Sequence, residues 1–135
     1  WTGIEQTNAA GAAYTFSGKE VNASGADFTP ANYEKAENGL TVTNTYRIPT
    51  DSETATKVWV NGPAVRPDVW FKLYRQIGTG TAEAVLGADV KQVPATAPYT
   101  VTWTGIEQTN AAGAAYTFSV KEVNASGADF TLANY

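Results

Sequence analysis

A chain of 135 residues has room for one domain, or one domain and a fragment of another, and its ordinary apolar content (43 %) allows a packed core. The balance is acidic, with 9 basic and 13 acidic side chains and a formal net charge of −4, and no basic run offers nucleic acid a footing. Cysteine, histidine and methionine are absent, which removes disulfides, thiol nucleophiles, most zinc sites and the usual general base; no apolar run reaches membrane-spanning length.

The predicted elements are all strands. Runs rich in Val, Thr, Tyr, Phe and Trp fall near 14–21, 40–48, 55–60, 68–76, 99–103 and 116–123. Turn signals separate them. Asn38-Gly39 and Asn61-Gly62 are dipeptides that tolerate positive φ, and Gly78-Thr-Gly80 marks another turn. Pro94 and Pro98 bracket a loop before Tyr99, and Ala111–Ala115 reads as a loop or a short helical turn. Between the second and third runs, Ile48-Pro-Thr-Asp-Ser-Glu53 has linker composition. Short strands with frequent turns predict an all-β sandwich.

Self-comparison adds an organisation. Residues 1–33 reappear as residues 103–135, and the two copies differ only at Gly18 against Val120 and at Pro30 against Leu132. A repeat of about domain length is the mark of a tandem array. The chain therefore reads as out of phase with its repeat, an excised piece of something longer. Residues 1–48 are the C-terminal part of one repeat, 49–53 a linker, and 54–135 the N-terminal part of the next, lacking its own last strand. Val120 and Leu132 favour the second copy for the core, since Gly18 packs nothing and Pro30 has no backbone donor.

Alternation puts three polar residues where a core is expected. Tyr116, Phe118, Val120 and Glu122 share one face of the last run. Leu40, Val42, Asn44 and Tyr46 share another, and Lys57 lies with Ala55 and Trp59. A lone ionised carboxylate among apolar groups is costly. If Lys57, Glu122 and Asn44 converge away from water, the amine and the acid favour their uncharged forms. The neutral amine is then a nucleophile, and the protonated acid polarises the carboxamide and shuttles protons as ammonia leaves. The competing reading is that all three are surface residues, turned outward by a bulge or placed on an edge strand. Trp59, Trp70 and Trp103 are read as core rather than as a ligand face, and the aspartates have no calcium-loop spacing. The Asn22-Ala-Ser24 and Asn124-Ala-Ser126 sequons are read as incidental.

Several stretches carry a family resemblance. They are Thr56-Lys-Val-Trp59, Arg66-Pro-Asp-Val-Trp-Phe-Lys-Leu-Tyr74, Val101-Thr-Trp-Thr-Gly105, Tyr116-Thr-Phe-Ser-Val-Lys-Glu122 and Leu40-Thr-Val-Thr-Asn-Thr-Tyr46. Together they resemble the Cna B-type domain, the B-repeat of Gram-positive collagen adhesins and pilins. The resemblance implies an immunoglobulin-like β-sandwich with a self-formed Lys–Asn isopeptide bond. Its reactive lysine corresponds to Lys57 and its asparagine to Asn44. Its assisting acid corresponds to Glu122, or to Glu20 in the first copy. It also implies a structural stalk repeat on the cell wall of a Gram-positive bacterium, secreted, without cofactor or metal, and not a turnover enzyme. Partners are neighbouring repeats, joined head-to-tail or strand-swapped with another copy; neither nucleic acid nor membrane insertion is expected. The order departs from the family, because the last strand precedes the first, and the bond closes either within a chain or between chains. The alternatives are a module that binds a host matrix protein or glycan, and an engineered ligation protein.

Overall fold

Alternation of apolar and polar residues marks the strands that build a core. In the computed structural model, which describes residues 1–132, eight strands form and no helix does. The chain divides into two compact units, Trp1–Arg47 and Ile48–Tyr135.

The second unit is a β-sandwich of the immunoglobulin-like kind. Its strands are β3 (Thr50–Thr56), β4 (Trp70–Ile77), β5 (Glu83–Ala84), β6 (Lys91–Gln92), β7 (Thr100–Glu107) and β8 (Tyr116–Val123). Strand β4 is the centre of one sheet. It pairs antiparallel with β8 from Trp70↔Val123 to Ile77↔Tyr116, and with β5 and β6 on its other edge. The second sheet is the antiparallel pair β3–β7. Phe71 and Leu73 of β4 and Val101 and Trp103 of β7 point inward at period two and meet in the core. The period breaks at Gly105, whose φ of 68° only glycine adopts without strain. Opposite it the β3–β7 register slips between Asp51 and Glu53, and Ile106 returns to the interior. Val85, Val93 and Leu132 fill the remaining space. Leu132 packs in the core as the comparison with Pro30 anticipates, whereas Val120 stays partly open to solvent.

The first unit has one regular element, the antiparallel hairpin β1 (Tyr33–Asn38) and β2 (Thr41–Tyr46). Its turn is the predicted one, with Gly39 at φ 58°. The run 14–21, expected as a strand, is not a ladder strand; Val21 makes an isolated bridge to Asp27. Two further expectations change. Residues 50–53, given to a linker, open β3, because β7 supplies backbone partners that outweigh the weak strand propensity of Asp and Ser. The run predicted at 55–60 ends at Thr56 as a strand. Strand β1, missed in the sequence, carries a Glu-Lys-Ala-Glu pattern with no apolar alternation to mark it.

Candidate functional site

Lys57 follows β3 directly. Its backbone N donates to Tyr99 O at 2.8 Å, so the β3–β7 pairing runs one residue past the strand. That bond keeps the phase of Ala55, and the Lys57 side chain turns to the inner side with Trp59. On the opposite sheet Glu122 sits near the end of β8, held in register against Phe71 of β4. The two side chains meet: Lys57 Nζ donates to Glu122 Oε2 at 2.5 Å. The amine also lies 4.5 Å from the centroid of the Trp59 ring, within cation–π range. Trp59 is set edge-on to Tyr99, with ring centroids 6.5 Å apart. The pair is covered but not sealed, with side-chain exposures of 19 % for Lys57 and 22 % for Glu122.

Asn44 and Glu20 make the corresponding arrangement in the first unit. Asn44 Nδ2 donates to both carboxylate oxygens of Glu20, at 2.9 and 3.1 Å. Glu20 is fixed in turn by its own backbone N, which donates to Glu37 Oε1 at 3.2 Å. Asn44 shares a hairpin face with half-buried Val42 and Tyr46, as alternation predicts, yet it is exposed. The four predicted residues thus form two pairs, amine with acid in one unit and amide with acid in the other. Both acids occupy the same position of the duplicated segment, since Glu20 recurs as Glu122.

The sequence reading missed Lys35, the cross-strand partner of Asn44. Its Nζ bonds Asp27 Oδ1 at 2.7 Å and Glu37 Oε1 at 3.1 Å. The hydrogen bond to Asp27 does most to raise the Lys35 pKa above its ordinary value, against the opposing effect of desolvation. The same lysine, chiefly through its hydrogen bonds, holds Asp27 and Glu37 below theirs. Among the described residues, two carboxylates thus hold the Lys35 amine, where the Lys57 amine meets one. The signal for it was the shared parity of Lys35 and Glu37 in β1.

Beside the Lys57–Glu122 pair lies an open groove of about 200 Å³. Residues 53–56 of β3 form one wall and residues 118–120 of β8 the other, with Leu73 and Trp103 also lining it. Among the described residues, no cluster of acidic side chains is arranged to hold a metal ion. Trp103 is core, its Nε1 donating to Asp89 O at 2.7 Å, while Trp59 and Trp70 are half-buried. Asn22 and Asn124 spend their side-chain oxygens on the backbone N–H groups of Ser24 and Ala26, and of Ser126 and Ala128.

Among known proteins, a collagen adhesin of Staphylococcus aureus is 35 % identical over 86 residues, which is 64 % of this chain and 7 % of the adhesin. The chain therefore spans less than a tenth of that relative's length. No solved structure matches it. Residues 54–134 match the Cna protein B-type domain. That span takes in strands β4 to β8, the end of β3 and both members of the Lys57–Glu122 pair, and on this match the chain belongs to the Cna protein B-type domain family.

Proposed function

We propose that this chain is a structural repeat of a secreted, wall-attached adhesin of a Gram-positive bacterium, and that Lys57 and Asn44 join in an isopeptide bond assisted by Glu122. The observation that carries the reading is the 2.5 Å contact between the Lys57 amine and the Glu122 carboxylate, backed by Trp59. The same acid position in the first copy, Glu20, accepts both bonds from Asn44 Nδ2, the nitrogen that must take up a proton to leave. A proton passes from Nζ to Glu122, and the freed amine attacks Cγ of Asn44. The new C–N bond forms as the bond to Nδ2 breaks. Glu122 passes that proton to the departing nitrogen, which leaves as ammonia, and takes up the second proton that Nζ must shed, so the acid ends protonated beside a neutral amide.

The product serves as a staple in a chain that has no cysteine. Covalent closure opposes extension and unfolding much as a disulfide does. The role is mechanical, and the chemistry happens once per bond, so the module is not a turnover enzyme. Intact mass under denaturing conditions tests this. Wild-type protein is expected to be lighter than its sequence by one ammonia per bond. Lys57→Ala and Asn44→Ala should each restore full mass, and Glu122→Ala should do so unless Glu20 serves instead. Full mass in folded wild-type protein would overturn the bond.

A further inference from the structure

We propose that the groove between β3 and β8 is a docking slot for the β1–β2 hairpin of a second copy of this chain, so that each copy donates a hairpin and receives one. The covalent step that follows rests on the bond reading above; the docking does not.

The slot has the features of an unfilled strand position. Among the described residues β3 pairs with β7 and β8 pairs with β4, and neither has a strand on its other side. An unpaired edge is a template for another strand. Here two such edges flank one groove, and Leu73, Trp103, Phe118 and Val120 give it apolar surface. Val120 is 37 % exposed although it shares the parity of Phe118.

The duplicated segment identifies the occupant. In the first unit the hairpin lies against residues 14–20, which recur in the second unit as 116–122 of β8. There Gly18 N donates to Gly39 O at 2.8 Å, and Asn44 binds Glu20 through both oxygens. Carried onto β8 by the repeat, the same contacts set Leu40 against Val120 and Asn44 against Glu122, beside Lys57. Exchange trades like for like with one gain. A Cβ at position 18 would meet the backbone O and Cα of Leu40 at 3.9–4.0 Å, ordinary contact distance, so the valine of β8 has room beside the hairpin. Leu40 and Val120, both exposed in the separate units, cover one another. What the hairpin gives up is modest: in the first unit residues 14–20 form no ladder with it. Because donor and acceptor surfaces differ, the association is heterologous and runs head-to-tail.

Mixing Lys57→Ala chains with Asn44→Ala chains tests the partner. Neither variant bonds to itself, but a mixed pair holds one amine and one amide. The expected result is a species resistant to denaturation, of twice the chain mass less one ammonia, forming at a rate proportional to the product of the two concentrations. Wild-type protein should give a ladder. If the mixture stays monomeric while wild-type monomer loses ammonia, the bond closes within a chain; the second copy is then rejected and the bond reading stands. If no sample loses ammonia, the bond reading fails and sedimentation decides the docking alone. Concentration-dependent association of wild-type protein that Leu40→Asp abolishes supports the slot, and a monomer at every concentration overturns it.

Discussion

The two copies of the 33-residue segment have nearly the same sequence and different fates. Trp103 is 3 % exposed, and its counterpart Trp1 is fully exposed. Ile106 is 7 % exposed against 47 % for Ile4, and Val123 is buried where Val21 is not. The loops, by contrast, are alike. Asn8 and Asn110 each accept from two backbone N–H groups, Ala10 and Ala12 in the first copy, Ala112 and Ala114 in the second. The bridges Thr7↔Ala13 and Thr109↔Ala115 match as well. Turns are thus written in the local sequence, since an asparagine side chain satisfies its own neighbours. Strand burial is not, because the same tryptophan is core only where β3 and β4 are present to cover it.

The largest test of that contrast is a matched pair of truncations. Trp103→Ala should destabilise the second unit by about 3–5 kcal/mol in urea unfolding, while Trp1→Ala should stay within about 0.5 kcal/mol. Similar costs at the two sites would break the comparison. The loops should show the opposite behaviour. Asn8→Ala and Asn110→Ala each remove the side-chain oxygen that accepts from two backbone N–H groups, worth about 1–2 kcal/mol together, and hydrogen exchange at the flanking alanine amides should quicken to a similar degree in both copies. A much larger response at Asn110 would mean that tertiary packing, not the side chain, holds the turn.

Gly18→Val sharpens the contrast by making the copies alike at that position. It should stabilise the first unit by about 0.5–1 kcal/mol, the usual deficit of a glycine in extended structure. It should also lower the yield of crosslinked species in proportion, because the hairpin then gains less from β8. The smallest effect is one of pH. Asp27 and Glu37 have folded pKa values below their ordinary 3.8 and 4.5, so their contribution to the first unit is present above those values and is lost as pH falls through the folded ones. Lys35, raised above 10.5, contributes fully below that value and loses its contribution as pH climbs past it. Carboxyl titration by NMR should find both acids moving up toward their ordinary values in Lys35→Ala.

Much of the second unit was legible in the sequence. The alternation in β4, β7 and β8 reports a half-buried surface directly, and Lys57 falls on the predicted face because Tyr99 extends the pairing by one residue. Its meeting with Glu122 is one of two outcomes that alternation left open, since each of two faces carried one charge. Less was legible where partners decide the outcome. Thr50–Glu53 looks like a linker by composition and is a strand by pairing. Residues 14–21 look like a strand and make no ladder, since pattern alone supplies no neighbour. Asn44 kept its predicted face but not the expected enclosure: in the first unit it stays exposed between half-buried Val42 and Tyr46.

The position of Trp59 gives the second unit an optical gauge. A positive charge 4.5 Å from an indole shifts its electronic levels through the local field. Turning that ammonium into an uncharged secondary amide removes the field at a stroke. The emission colour of Trp59 should therefore shift in wild-type protein and not in Asn44→Ala if the proposed bond forms, a readout that needs no label.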